Sequence, residues 1–398
     1  MFMRILLVHN RYQQKGGEDA VAQSEKNLLA RNGEEVELLE VDNDNIVNFR
    51  GKLAASLSVF YSARGVDLLN DAIAKFMPDV VHIHNWFPTL SPGIFWACKK
   101  KKIPVVHTLH NYRLLCASPS LFRDGVVCED CIGTTLRIPG VLHGCYRGSR
   151  TGTAIATAGM LAHWKAGTWR QAVDRFIALS NFAKMKLIEG GLPAAKIVVK
   201  PNFLDYDPGF RPGGLGYFAF VGRLAEQKGI SILLKCWRKC PDLPLLRIVG
   251  SGPLEGSVRE LSESLHNVEY LGPRNAEEVR QIMGGAEALL CPSLGYEGMP
   301  LVVIEAMAVG TPVIASRLGS YVEMIAHGKS GMLFDIDDPQ ALPACIRQVL
   351  RDQMLAGMRE EARKGFESRY TGQANFAMLR KIYEDAIYEH VNSGAFVS

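Results

Sequence analysis

At 398 residues the chain is too long for one ordinary hydrophobic core, and two domains of about 200 residues are expected. With 47% hydrophobic and 22% charged residues it reads as globular, and no apolar run of ~18 residues offers a membrane-spanning helix. The net charge of +4 argues against a dedicated nucleic-acid binder and is compatible with phosphorylated substrates or anionic lipid.

The N-terminal stretch MFMRILLVHN has too short an apolar run, and no small-residue cleavage site, for a signal peptide; it reads as a first strand. A cytoplasmic location is expected, and nine scattered cysteines, an odd number, fit a reducing compartment. Directly after that strand, Gly16 and Gly17 permit close approach of backbone to a ligand, or form a plain turn. EEVELLEV, DVVHIHN, IPVVHTLH and RFIALS read as further buried strands with helical segments between them. That alternation implies a parallel sheet covered on both faces. His82, His84, His107 and His110 stand at strand ends. Most are expected to be packed, and His110, last in its strand, is the one placed in a cleft.

Two features of this half stay open. Lys99 to Lys102 beside GIFWAC, and the aromatic segment from Ala158 to Val173, offer contact with an anionic membrane; the alternative is a solvated helix end. Cys116, Cys128, Cys131 and Cys145 form C-x11-C-x2-C-x13-C in a polar insertion at about 112–150. Such a set can hold a structural zinc, or the thiols stand free or occasionally oxidised.

From Pro201 to Gly216, PNFLDYDPGFRPGGLG has no periodicity and reads as a linker. Alternation then restarts with YFAFVGRL, LLRIVGSG, NVEYLG, EALLCPS, TPVIAS and SGMLF. The chain therefore looks like two doubly wound α/β domains in tandem, with ligands expected beyond the carboxyl ends of the strands. FAFVGRLAEQKGI carries Gly222, Arg223 and Lys228 after a strand. Paired cations there suit a diphosphate, because they stabilise the charge that grows when a nucleoside diphosphate leaves; a solvated loop is the plain alternative.

In LLRIVGSGPLEG, the residues Gly250, Ser251 and Gly252, with Glu269 about twenty positions on, mimic a dinucleotide-binding fingerprint. The third glycine, Gly256, is one place late, and Pro253 stands where the helix should open. The stretch reads instead as a strand, turn and helix lining the nucleotide side of a cleft. YEGMPLVVIEAMAVG reads as a loop and a helix, with Pro300 in the first turn and Gly310 at the C-terminal cap. Gly298 lets a ligand approach, and the first-turn N–H groups favour a phosphate. Glu297 is placed to accept hydrogen bonds from sugar hydroxyls and Glu305 from a second ring, though neither has an opposite charge nearby in sequence. Otherwise they are a solvated loop residue and a half-exposed helix residue. DIDD at Asp335 to Asp338 precedes Pro339 and reads as a helix-capping turn rather than a metal site.

With these pieces in order, the sequence resembles the family-4 retaining glycosyltransferases (glycosyl transferases group 1) of the GT-B fold, through both halves. The glutamates of EGMPLVVIEAMA look like that family's E-x7-E motif, GRLAEQKG like its phosphate-gripping Arg and Lys, and GSGP like its nucleotide loop. Gly16 and Gly17 match its N-terminal glycine loop, and His110 in TLHN matches the histidine near the transferred sugar, with Asn111 where many members carry Asp.

The resemblance implies two Rossmann-like domains facing across a cleft: an acceptor-binding domain at 1–205, a nucleotide-sugar domain at 206–372, and a C-terminal helix at 373–398 returning to the first domain. It implies catalytic roles for His110, Arg223, Lys228 and Glu297. Donor contacts would come from Gly16, Gly17, Gly222, Arg223, Lys228, Gly250, Gly252, Pro253, Arg274, Glu297, Gly298, Met299, Pro300, Leu301 and Glu305, with Glu297 on the sugar and Glu305 on the ribose. The implied reaction is metal-independent transfer from a UDP-, GDP- or ADP-sugar to a glycan or lipid-linked acceptor, as in polysaccharide biosynthesis, with peripheral membrane contact. Two alternatives are an NAD-dependent oxidoreductase resting on Gly250 to Gly256, and a non-catalytic nucleotide-sugar-binding protein.

Overall fold

The computed structural model describes residues 2–11, 16–42, 58–351 and 354–394. They form two compact units. The first lies within Met1–Ser120, Glu129–Pro201 and Gly372–Ser398, the second within Leu121–Cys128 and Asn202–Thr371. The strands in chain order are β1 (Arg4–Arg11), β2 (Glu35–Asp42), β3 (Val80–Asn85), β4 (Val105–Leu109), β5 (Phe122–Arg123), β6 (Val126–Val127), β7 (Arg175–Ala178), β8 (Ile197–Val199), β9 (Tyr217–Val221), β10 (Leu245–Val249), β11 (Val268–Gly272), β12 (Leu289–Cys291), β13 (Val313–Ser316) and β14 (Gly331–Phe334).

The first unit holds a parallel sheet of order β2-β1-β3-β4-β7-β8. Central β3 and β4 are buried at every position, as strands covered on both faces must be. Edge strand β2, EVELLEVD, instead shows glutamates along its length, which discourages pairing with another chain. On one face the core joins Ile5, Leu7, Val80, Val106 and Ile177 to Leu379, Ile382, Tyr383 and Ala386. Those last four recur at helical spacing on the helix Gly372–Gly394, so the C-terminal helix packs on this sheet. Each such buried side chain contributes up to about 1.5–3 kcal/mol.

The second unit repeats the plan with the order β11-β10-β9-β12-β13-β14, again parallel. Its core gathers Phe218, Phe220, Leu233, Trp237, Ile248 and Ile314. In each sheet the chain winds outward in one direction and then the other. The reversals fall between β1 and β3 in the first unit and between β9 and β12 in the second. Loops leaving the carboxyl ends of those strands splay apart and leave a crevice for a ligand.

The stretch from Pro201 to Gly216 carries no named strand or helix. In the aromatic segment from Ala158 to Val173, Met160, Trp169, Ala172 and Val173 are buried, and His163 bonds the Phe60 carbonyl at 2.8 Å. These four apolar side chains are used by the core, whereas Leu161 and Trp164 are half-buried and Ala158, Ala162 and Ala166 are exposed. Lys99 to Lys102 remain exposed, with the Lys99 ammonium over the Trp96 ring. Among the described residues no helix is long and apolar enough to cross a membrane.

Candidate functional site

In the second unit the loops after β9 and β12 are bound to each other. Leu294 N–H donates to the Gln227 carbonyl at 2.8 Å, and Gly229 lies with its backbone against Pro292. A Cβ on Gly229 would come within 1.7 Å of the Pro292 carbonyl oxygen, and its φ of +72° suits glycine alone. This contact sets the preceding residue, Lys228, over the β12 loop. Lys228 Nζ donates to both Glu297 oxygens at 2.8 Å, and Ser293 Oγ donates to Glu297 Oε1 at 3.0 Å. Ser293 is held in turn by the buried Tyr321 hydroxyl at 3.0 Å. The opposite charge that Glu297 lacks in sequence is thus supplied by the fold, from 69 positions away.

Arg223, in the same β9 loop, is exposed; its carbonyl accepts from the Ala225 N–H at 2.9 Å, and its side chain has no hydrogen bond or ion pair among the described residues. Glu305 sits half-buried on the helix Leu301–Ala308 without a side-chain partner among them. Burial raises its pKa above the ordinary carboxylate value, with Arg280 opposing. A half-buried carboxylate without a partner is costly in a purely structural role. Pro300 immediately precedes the first helical residue, Met299 is buried with its carbonyl accepting from Asn202 Nδ2 at 2.8 Å, and Gly310 ends the segment at φ +78°.

Gly250 and Gly252 have a packing reason to be glycine. A Cβ at Gly250 would meet the Gly222 carbonyl oxygen at 1.9 Å, and one at Gly252 the Leu224 carbonyl oxygen at 2.5 Å. They seat the β10 loop, and the exposed Pro253 beside it, against the β9 loop. The dinucleotide reading fails on topology: the sheet has the order of a dinucleotide fold, but the glycines follow its second strand rather than its first, β9. Glu269 is also engaged, accepting from Arg247 Nε at 2.8 Å. Arg274 follows edge strand β11 and pairs with Glu278 at 3.4 Å; no described contact joins it to Lys228 and Glu297. Asp335 and Asp338 accept from the N–H groups of Asp337 and Gln340 in turns that lead into the helix Ala341–Arg351.

In the first unit the strand ends at the reversal collect histidines. Gly16 precedes the helix Gly17–Arg31, its N–H held by Asp19 Oδ2 at 2.6 Å, and no atom within 4 Å would obstruct a Cβ there. Residues 12–15 of this loop lie outside the described residues. His110 does line a cavity, with Asn85, Trp86, Asn111 and Arg113. Its Nε2 lies 3.0 Å from His84 Nδ1, and Glu25, deep in the helix, faces His84 and His82. Burial pushes His110 well below the usual histidine range, with His84 adding to the effect and Glu25 opposing. Burial likewise takes His107 down to about 4, against its bond to the Ile83 carbonyl. Sequence reading missed Glu25 and Lys200 altogether; a charged residue in the buried stripe of an amphipathic helix was the available signal.

Among the described residues, the His, Cys, Asp and Glu side chains whose ligand atoms lie within 4.8 Å of one another are Glu25, His82 and His84, and the four cysteines form no such set. Of the two readings left open for Cys116, Cys128, Cys131 and Cys145, zinc or free thiols, the zinc reading finds no three sulfur atoms drawn together. Cys131 Sγ lies 4.0 Å from the Arg137 carbonyl, and Arg137 donates to the Leu114 and Leu115 carbonyls, so hydrogen bonds brace this insertion. A cation at Glu25 is opposed by the Lys200 ammonium, 2.7 Å from the same carboxylate.

Two family models match in succession: Glycosyltransferase Family 4 over residues 25–208, and Glycosyl transferases group 1 over 208–365. Over 178 residues the chain is 35% identical to a D-inositol 3-phosphate glycosyltransferase of Corynebacterium urealyticum, a match covering 41% of this chain and 42% of that protein. The chain thus spans about two fifths of that curated relative's length. The sucrose-phosphate synthase of Thermosynechococcus elongatus superposes with a TM-score of 0.71 at 19% identity, covering 97% of this chain and 99% of that one. Anabaena Alr3699/HepE, solved in complex with UDP and glucose, does so with a TM-score of 0.63 at 20% identity, covering 96% and 99%. At these identities the likeness concerns the fold.

Proposed function

Because the chain belongs to the family-4 group 1 glycosyltransferases and has their GT-B fold, we propose that it transfers a sugar from a nucleoside-diphosphate donor to an acceptor hydroxyl, with retention of configuration. The observation that carries this reading is the Lys228–Glu297 pair at the β9/β12 reversal, with Arg223 exposed beside it and Glu305 half-buried on the following helix. Cations and carboxylates together match a ligand that carries both phosphates and hydroxyls.

In this mechanism the bond from the sugar carbon to the diphosphate oxygen breaks, and a bond to the acceptor oxygen forms on the same face. The acceptor proton passes to the departing phosphate. Arg223 and Lys228 stabilise the negative charge that grows there, so a divalent metal is not required. Glu297 orients the sugar, and Glu305 accepts from the ribose. In the first unit, His110 lines a polar cavity with Asn85 and Asn111 that suits the hydroxyls of a sugar, and Gly16 and Gly17 lie near the start of that unit's first helix. The acceptor is a glycan or lipid-linked glycan. UDP is the first donor nucleotide to test, since the Anabaena protein of the same fold binds it.

A thermal-shift panel of UDP, GDP, ADP and their sugars tests the reading, because a ligand well above its Kd raises stability measurably. One nucleotide sugar should stabilise the chain and be turned over, and turnover should survive EDTA. Arg223→Ala or Lys228→Ala should slow it by about a hundredfold, the scale of losing one charge-stabilising group. Unchanged turnover in both variants under saturating donor removes the phosphate grip from the mechanism.

A further inference from the structure

The cavity at His110 is backed by a line of buried ionisable groups that the transfer chemistry above leaves unused. Lys200, fully buried just after β8, donates to Glu25 Oε1 at 2.7 Å, and Glu25 is fully buried in the helix Gly17–Arg31. The second carboxylate oxygen, Oε2, faces His84 Nε2 at 3.3 Å, and His84 Nδ1 lies 3.0 Å from His110 Nε2. Oε2 and His84 Nε2 are both buried, and neither has a well-aligned hydrogen bond among the described residues, their mutual contact at 3.3 Å included, so that contact is the polar approach left to both. His82 does not compete for the carboxylate. Its Nδ1 meets the Tyr383 hydroxyl at 2.8 Å and its Nε2 the Thr108 hydroxyl at 2.7 Å.

An interior ion pair is a poor device for stability, since the cost of desolvating two charges offsets their attraction. What this one adds is direction. A carboxylate only accepts, so the His84 nitrogen facing it, Nε2, carries the hydrogen. In a neutral imidazole the other nitrogen, Nδ1, is then an acceptor, and His110 must donate to it from Nε2. That leaves His110 Nδ1 as a bare lone pair. Burial, by keeping His110 well below the usual histidine range, maintains its ring in the neutral form.

We propose that Glu25 is a positioning residue: acting through His84, it fixes His110 in the Nε2–H tautomer, so that Nδ1 accepts a hydrogen bond from a hydroxyl of the bound substrate. The identity of that substrate rests on the glycosyltransferase reading, but the ordering of hydrogens along Glu25, His84 and His110 does not. Glu25→Gln makes the test sharp. Lys200 must face the amide oxygen, which turns the amide NH2 toward His84 Nε2 and reverses every hydrogen bond along the series.

Long-range ¹H–¹⁵N correlation spectra of the full chain, labelled at histidine, report the tautomers directly. The wild type should show His84 and His110 as Nε2–H, and Glu25→Gln should show both as Nδ1–H. With the nucleotide sugar that the thermal-shift panel selects, kcat of Glu25→Gln should fall about 10- to 100-fold, the scale of losing an orienting partner, with donor KM little changed. His84→Leu interrupts the series without touching the ion pair, so His110 should relax to a mixture of tautomers with a similar loss of kcat. It serves if Glu25→Gln does not fold. An Nδ1–H wild-type His110, an unaltered tautomer in either folded variant, or a reversal that leaves kcat untouched overturns the proposal. No turnover by the wild type with any nucleotide sugar overturns the reaction reading and the catalytic half of this inference with it, while the spectra still decide whether Glu25 orders His110.

Discussion

Glu297 and Glu305 lie on one short segment and meet different surroundings. Glu297 is held by Lys228 and Ser293, whereas Glu305 faces no partner among the described residues and has its pKa raised by burial. Their substitutions should therefore separate by ligand. Glu305→Gln should weaken both the nucleotide sugar and the bare nucleoside diphosphate by about 1.5–3 kcal/mol, as hydrogen bonds to a charged group do. Glu297→Gln should weaken the nucleotide sugar by a similar amount. It also releases Lys228, so the bare diphosphate should bind as well as before or more tightly. Calorimetry with the diphosphate and a non-reactive donor analogue checks this, and equal losses for both ligands in both variants would show that the two carboxylates do not divide the ligand.

The elements that shape the site are held together by backbone contacts that only glycine permits. At Gly229 a side chain would need a left-handed φ of +72° and would drive a Cβ into the Pro292 carbonyl at 1.7 Å. Gly229→Ala should cost at least about 1–2 kcal/mol from the backbone conformation alone. That corresponds to roughly 2–4 °C per kcal/mol for a unit of this size. Because the same contact sets Lys228, donor affinity should fall as well. Gly256 makes the control: it lies in the helix Glu255–Ser264, and nothing within 4 Å would meet its Cβ. Gly256→Ala should leave the thermal midpoint unchanged or raised, since alanine favours a helix interior. If the two variants melt alike, the loop contact is not what holds Lys228 in place.

Across the whole molecule, burial of histidines sets the response to acid. His82, His107 and His110 are held below the ordinary histidine value by burial, His107 at about 4, and His9 and His163 shift the same way. Unfolding at acid pH lets these rings take up protons near 6.5, so the stability they confer is full above that value and is lost as pH falls toward the folded values. Each contributes a slope of about 1.4 kcal/mol per pH unit while only the unfolded state is protonated. Glu18, raised by burial to about 7, acts in the opposite sense: its contribution is present below 4.5 and is lost as pH rises through about 7. Glu305, also raised by burial, acts with Glu18, and five depressed histidines against these two carboxyls leave a net loss on acidification. Urea unfolding at pH 7.5, 6.0 and 5.0 should give falling free energies, and a flat or rising series would show that the histidines titrate normally in the fold.

Local sequence determined most of the framework, because parallel strands covered on both faces must be short continuous apolar runs. RILLVHN, DVVHIHN, YFAFVGRL and TPVIAS were legible for that reason, and the proline- and glycine-rich stretch before Tyr217 was legible by lacking any period. The three-residue strand β8 and the small hairpin of β5 and β6 were not, since two or three residues carry no periodicity. Candidate chemistry was legible where a residue type was unusual for its place, as with Glu305 in an apolar helix. What tertiary structure alone decided was which distant residues share a loop crevice or an interior: Lys228 with Glu297, Lys200 with Glu25, and Glu25 with His84 and His110. Strand order and backbone packing between loops fix these pairings, and neither is written in the spacing of residues along one element. The aromatic segment from Ala158 to Val173 shows the same limit from the other side, since its apolar pattern fits lipid and core equally and only tertiary packing shows that Met160, Trp169, Ala172 and Val173 are core residues.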